Sequence, residues 1–317
     1  MNNNRHMDLE TFAACVLQTL QQKLPYINIQ LVHKAAENDE PIPLITFTSK
    51  NEHHTIYPSI PIELYYNEYI SGTNLRDLLT RIVMGIAVGN DLYQHHLPNF
   101  DDYIVASDYI TSRIVNAIKN TEFLQDRAYN LIPRTDLCYV YELDITQLMA
   151  TPEHQRCNIQ ITNQMLNNWN ASVDELQEIA ERNNPIRHPA QILYNNEINT
   201  STSEEADAML KNNMVVVSAD DQVHGFVAIT YPGIAEQIYN YFHGDFYILP
   251  ATIHEAICYP KSEMSIDRAK ALVYTVNHSA DMHPQCFLSD DVFHIKNGQL
   301  TSATQNCPLP SKFFITP

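Results

Sequence analysis

Apolar residues fall into helical register almost at once. Leu9, Phe12, Ala13, Val16, Leu17, Leu20 and Leu24 recur three and four residues apart, behind an Asp8 able to cap the first turn, and Pro25 stops the helix. Ile27, Ile29 and Leu31 then alternate as a strand would, Leu44, Ile45 and Phe47 begin a second, and Ile56 and Tyr57 suggest a third. Pro58 and Pro61 lead into a helix with Leu64, Tyr65 and Tyr69 as its inner stripe and Gly72 as its stop. Asn74 caps another, with Leu75, Leu78, Leu79, Ile82, Val83 and Ile86 inward and Gly89 near its end.

Residues 90–101 read as a linker, and 103–118 fits strand or helix equally. Asp136-Leu137-Cys138-Tyr139-Val140-Tyr141-Glu142-Leu143 is apolar on both faces, the pattern of a central strand. Ile159 and Ile161 form a strand before a short helix carrying Met165, Leu166 and Trp169, and Ser172-Val173-Asp174-Glu175 is a capping box opening a helix with Leu176, Ile179 and Ala180 inward. Residues 185–205 read as a surface excursion. Met214 to Val217 and Phe226 to Ile229 read as strands with Asp220 and Asp221 in the turn between them. A helix over 232–242 follows, stopped by Gly244. Phe246 to Leu249 forms a strand ended by Pro250, with 253–259 as its partner. Ile266, Ala269, Leu272, Val273 and Val276 mark the last helix, and Asn297-Gly298 turns a closing hairpin. The expectation is an α+β fold with mixed or antiparallel sheets and packed helices. It forms two subdomains: a helix–strands–helices unit over 1–92 and a larger α+β unit over 103–317.

Composition narrows the function. With 19 Lys and Arg against 37 Asp and Glu, the formal charge of −18 opposes gripping phosphate backbones or anionic membrane surfaces. Only 7 glycines are present, and neither GxGxxG nor GxxxxGK[ST] occurs, so no nucleotide cofactor is expected, nor any other. The six cysteines contain no CxxC pair, the opening residues are polar, and no run of about 18 apolar residues occurs. A cytoplasmic location with reduced thiols is the simplest expectation. The 18 tyrosines can stack and hydrogen-bond, although most such residues pack half-buried with wet hydroxyls.

Candidate chemistry gathers late in the chain at His254, Glu255, Cys258, His278, Asp281, His283 and His294. His254-Glu255-Ala256-Ile257-Cys258 is like the HExxH zinc motif with Cys as the last ligand, which makes His254 and Glu255 the catalytic candidates. His254, Cys258, His278 and His283 are the metal-ligand candidates. The local pattern is strand-like, however, and residues four apart in a strand lie about 13 Å apart, too far to share a metal. No metal is therefore expected; hydrogen bonding of the turn by His254 and Glu255, with Cys258 as a buried small hydrophobe, is the plainer reading. Asp101-Asp102, Asp220-Asp221 and Asp290-Asp291 are acid pairs of the kind that cap helices or solvate turns. No GxSxG elbow supports a serine nucleophile.

Three blocks, in order, carry a family resemblance. The first runs from Asp136-Leu137-Cys138-Tyr139-Val140-Tyr141 through Ile159-Gln160-Ile161-Thr162, Trp169 and Ser172-Val173-Asp174-Glu175-Leu176 to Ala180-Glu181-Arg182-Asn183. The second is Phe246-Tyr247-Ile248-Leu249-Pro250-Ala251-Thr252-Ile253-His254-Glu255, and the third is Val276-Asn277 with Leu288-Ser289-Asp290-Asp291-Val292-Phe293. Together with residues 58–69 they resemble a large family of uncharacterised bacterial proteins, a domain of unknown function, over most of the chain. The resemblance supplies no activity or site residue. It implies an association with mobile elements, and Ala251-Thr252 stands where the family pattern has a Ser-Ser turn.

The expected function is non-catalytic binding of a protein with a basic surface, as a mobile-element accessory or counter-defence factor, with no nucleic acid or membrane as direct partner. The alternatives are a metal-dependent hydrolase around His254 and Glu255, and a structural or chaperone-like homodimer using the Tyr-rich helix over 61–71.

Overall fold

The computed structural model describes residues 6–34, 42–49, 59–95, 97–149, 156–194, 213–280 and 282–304. Contacts divide the chain into two units, Met1–Val105 and Ala106–Pro317. Among the described residues the fold is α+β, and every pairing between its strands is antiparallel.

In the first unit, α1 (Leu9–Lys23) starts at Asp8, whose side chain accepts the Thr11 N–H. A sheet of β1 (Ile27–Lys34), β2 (Ile42–Ser49) and β3 (Ser59–Pro61) follows, then α2 (Ile62–Ile70) and α3 (Leu75–His95). Phe12, Val16 and Leu20 of α1 meet Ile29, Ile45 and Phe47 of the sheet and Ile82 and Ile86 of α3 in one core. Tyr69 stacks on Phe12 at 5.3 Å, and the Tyr66 hydroxyl donates to the Met7 carbonyl. The half-buried Tyr66 and Tyr69 rings pack against the core of the unit.

The second unit holds two sheets. After α4 (Tyr103–Ser107) come β4 (Ile110–Asn116), β5 (Tyr129–Leu131), β6 (Leu137–Asp144) and β7 (Asn158–Gln160), with β4 along one edge of β6 and β5 and β7 along the other. The central strand expected over 136–143 is thus β6. Helices α5 (Asn163–Trp169) and α6 (Val173–Arg187) follow, and the reciprocal Ser172–Glu175 capping box opens α6.

The larger sheet runs in the order β13-β12-β10-β11-β9-β8. Its strands are β8 (Ala190–Tyr194), β9 (Val215–Ala219), β10 (Phe246–Thr252), β11 (Glu255–Pro260), β12 (Phe293–Lys296) and β13 (Gln299–Ser302). Helices α7 (Ile234–Phe242) and α8 (Ile266–Asn277) cover it: Ile238 joins the core of Val217, Phe226, Ile248 and Phe293, while Leu272 and Val273 pack with Leu249 and Val292.

Among the described residues the free edge of β4 is closed without another strand. All seven of its residues are buried. Asn184 of α6 accepts the Ser112 N–H at 2.9 Å and donates to the Ser112 carbonyl at 3.1 Å, and Asn183 donates to the Ser107 and Ile110 carbonyls. Two side-chain amides stand in for a neighbouring strand, which leaves fewer backbone groups exposed to edge pairing.

Several expectations are corrected. Phe226 to Ile229 is not a strand but part of a 3-10 segment, Gly225–Thr230. A short apolar run buried on all sides carries no period to distinguish the two. Gly89 does not end α3; it lies inside the helix, where an added Cβ would come within 3.2 Å of the Phe47 ring. The linker over 90–101 therefore begins after His95. Leu64 points outward at 65% exposure, and the inner face of α2 is instead Ile62 with Tyr65, Tyr66 and Tyr69. Pro185 is inside α6, and β8 occupies part of the stretch read as an excursion. Pro250 does not end β10, which continues through a bulge to Thr252. Ile56 and Tyr57 lie outside the described residues.

Candidate functional site

The late cluster of candidate residues is dispersed over separate elements. His254 sits in the tight turn from β10 to β11. Its N–H donates to the Thr252 hydroxyl at 3.0 Å, its carbonyl accepts the Ser218 hydroxyl at 2.8 Å, and its Nδ1 accepts the His224 N–H at 3.1 Å. That last bond puts the ring proton on Nε2. Glu255 begins β11, half-buried, and burial raises its carboxyl above the usual range. Cys258 lies wholly within the core, where burial pushes its thiol far up and out of the reactive range.

His278 caps α8 with its ring stacked on Tyr274 at 4.0 Å, and His283 is exposed beside the 3-10 turn Pro284–Cys286. His294, on β12, lies against Lys261, whose Nζ is 3.0 Å from its Nδ1. Asp281 is outside the described residues. Among the described residues no group of three or more His, Cys, Asp or Glu side chains is disposed to hold a metal. The acid pairs also serve local structure: Asp102 accepts the Ile104 N–H at the start of α4, and Asp291 accepts the Val292 N–H and the Thr304 hydroxyl.

What gathers around His254 comes from elsewhere in the chain. Arg156, just before β7, clamps Asp221 through two hydrogen bonds of 2.6 and 2.8 Å. His188 lies 3.5 Å from both Asp221 and Asp144, and Arg187 reaches Asp144 at 3.3 Å. Burial opposes ionisation of Asp221, but hydrogen bonds from Arg156 and His188, with the Arg156 charge, outweigh it and hold its carboxyl well below the usual range. Behind this, buried Glu142 accepts from Arg113 and Gln160.

His224 has a left-handed backbone (φ 48°) and a ring 5.6 Å from that of His254. Burial, with the charges of Arg113 and Arg156, depresses its pKa strongly, and among the described residues its buried Nδ1 has no hydrogen-bond partner. The following Gly225 admits no side chain, because a Cβ would fall 2.3 Å from the Ala219 nitrogen and 2.5 Å from the His254 carbonyl oxygen. His224, Arg156 and His188 were all missed in the sequence. The one local signal was a polar turn ending in His224-Gly225 between two apolar runs.

A second feature lies on the larger sheet, between α7 and the β12–β13 hairpin. A half-open cleft of about 240 Å³ is lined by Glu236 and Tyr239 of α7, Asp245 and Phe246 at the start of β10, Lys261, and Ile295 of β12. Its volume falls below the ~300–1,000 Å³ of small-molecule sites. Tyr239 and Tyr241 are 48% and 42% exposed, and Tyr241 packs on Tyr194 at 4.6 Å. Lys261 lies over the Tyr247 ring at 5.3 Å and 3.9 Å from Asp245. Burial and the neighbouring Lys261 lower the pKa of His294, so it faces Lys261 as a neutral acceptor.

These features define an acidic α+β protein with a paired charge network inside and an aromatic, carboxylate-rimmed cleft outside. The chain belongs to a family of unknown function, DUF5688, whose model matches residues 9–296. No curated protein matches it, and no solved structure does. Among the described residues no helix is long and apolar enough to cross a membrane.

Proposed function

We propose that the chain acts by binding a basic protein partner in the cytoplasm, without chemistry of its own, as an accessory or counter-defence factor of a mobile element. One observation carries this reading: on a chain of charge −18, α7 exposes Tyr239 in one cleft with the carboxylates of Glu236 and Asp245, and exposes Tyr241 on a different face, against Tyr194. Exposed tyrosines are the residue type enriched in binding hot spots, and a net acidic surface speeds encounter with a basic partner. The test is crosslinking of the tagged chain in its native host, beside a Tyr239→Ala/Tyr241→Ala variant of unchanged charge. The expected result is a basic protein crosslinked at α7 by the unmodified chain and lost in the variant. Equal recovery by both, or no crosslink at α7, overturns the reading.

A hydrolytic reading is favoured by one specific observation, the His224 Nδ1, without a partner among the described residues, beside the His254 ring. Such a pair could move a proton. It predicts turnover of chromogenic ester or phosphodiester substrates that is abolished in both His224→Asn and His254→Gln. Absence of turnover by the folded wild-type chain removes it.

A further inference from the structure

Resting on the binding reading, we propose that the cleft between α7 and the β12–β13 hairpin takes a single arginine side chain of that basic partner. Its chemistry matches a guanidinium on three sides. Tyr239 offers an exposed ring face for a cation, and Glu236 and Asp245 are exposed carboxylates lining the same opening, able to accept a guanidinium's forked donors. Phe246 and Ile295 supply an apolar wall for the methylene stem. At about 240 Å³ the cleft suits one long side chain rather than a cofactor.

The protein already holds a cation at this place. Lys261, 27% exposed, leans on the Tyr247 ring, lies 3.9 Å from Asp245 and is 3.0 Å from His294. An incoming arginine competes with Lys261 for Asp245 and engages Glu236, which has no ion pair among the described residues. Lys261 therefore acts as an internal competitor that lowers the affinity of the cleft. A site built for anions would depend on the same lysine in the opposite sense.

The experiment uses the full chain and three fluorescent 12-residue peptides of one framework, carrying arginine, lysine or uncharged citrulline at alternate positions. Anisotropy titrations are run on the wild type and on the Glu236→Gln, Tyr239→Ala and Lys261→Met variants. The arginine peptide should bind about 5- to 10-fold tighter than the lysine peptide, the span of one partly desolvated cation–π contact with a carboxylate fork. Glu236→Gln and Tyr239→Ala should erase that preference, and Lys261→Met should strengthen arginine binding by about 3-fold or more. Equal binding of the arginine and lysine peptides, or weaker arginine binding by Lys261→Met, overturns the arginine cleft while the binding reading stands. If neither cationic peptide binds better than the citrulline peptide, both fall.

Discussion

Asn184 closes the free edge of β4, and its removal gives the most direct test of how the second unit is held together. The residue is 2% exposed, and its amide is engaged with the Ser112 N–H, carbonyl and hydroxyl at 2.9, 3.1 and 3.1 Å. Asn184→Ala leaves the buried Ser112 N–H and carbonyl without partners, at about 1–3 kcal/mol each, and opens a small cavity as well. The expected loss is about 3–5 kcal/mol, a large part of the ~5–15 kcal/mol typical of a whole domain.

Asn184→Leu separates the two causes, because it fills the space and still orphans Ser112. It should cost nearly as much as the alanine. The single Trp169, buried in the second unit, makes urea unfolding followed by its fluorescence a report on that unit alone. A midpoint shift equivalent to less than about 1 kcal/mol, at unchanged m-value, would refute the reasoning. A leucine variant as stable as wild type would show that volume, not hydrogen bonding, was the cause.

Asp136, buried and hydrogen-bonded by Ser289 and Asn116, has its pKa raised to about 6, chiefly by burial. The protonated form is favoured in the fold, so stability falls as pH rises from ~4 to ~6, by about 3 kcal/mol at most; Asp136→Asn should flatten that arm in thermal melts, and an unchanged profile would count against it. His224 has a depressed pKa and works in the opposite direction: its contribution is present above ~6.5 and lost as pH falls below it. His224→Asn, which tolerates the left-handed backbone, should reduce the acid-side loss, and a variant equally acid-sensitive contradicts this. Gly225→Ala should destabilise by about 3 kcal/mol or more in urea unfolding, whereas Gly244→Ala, with nothing within 4 Å of the added Cβ, should change stability by under about 1 kcal/mol; equal effects at both sites would refute the steric account. Arg156→Ala should cost about 2–4 kcal/mol by stranding Asp221, and Arg156→Met/Asp221→Leu should recover most of it. A double variant as unstable as the sum of Arg156→Met and Asp221→Leu measured singly would show that the pair has no coupling to measure.

Elements that declare themselves locally were legible in the sequence. Asp8, the Ser172–Glu175 box and Asn297-Gly298 each fix their own element through contacts a few residues apart. Errors arose where a distant neighbour decides. Gly89 survives inside α3, where it lies against Phe47 of β2, and Phe226 to Ile229 turns as a 3-10 segment next to a glycine that its surroundings leave no room to replace. The site follows the same rule. His254 could be noticed from its motif-like spacing, but His224 is 30 residues away and Asp221 is 65 residues from Arg156. A periodicity reading has no means of pairing residues at such separations.

The same long-range pairing bears on what the acidic charge can do. Arg113 and Arg156 have almost completely buried side chains, and Arg127 and Arg187 are largely buried, so these guanidinium groups are not available to grip a phosphate backbone. Arg113, Arg156 and Arg187 meet Glu142, Asp221 and Asp144 where β6, β7, α6 and the turn after β9 end together. Removing both members of such a pair for apolar residues can leave a fold as stable, so the network is better viewed as setting the register of these ends than as a large source of stability. Carboxylates such as Glu236 and Asp245 stay outside, Asp245 at 75% exposure. Under the proposed binding role, burying arginines while leaving Glu236, Asp245 and Tyr239 around one cleft favours a cation there, and Lys261 is the residue whose removal tests that preference.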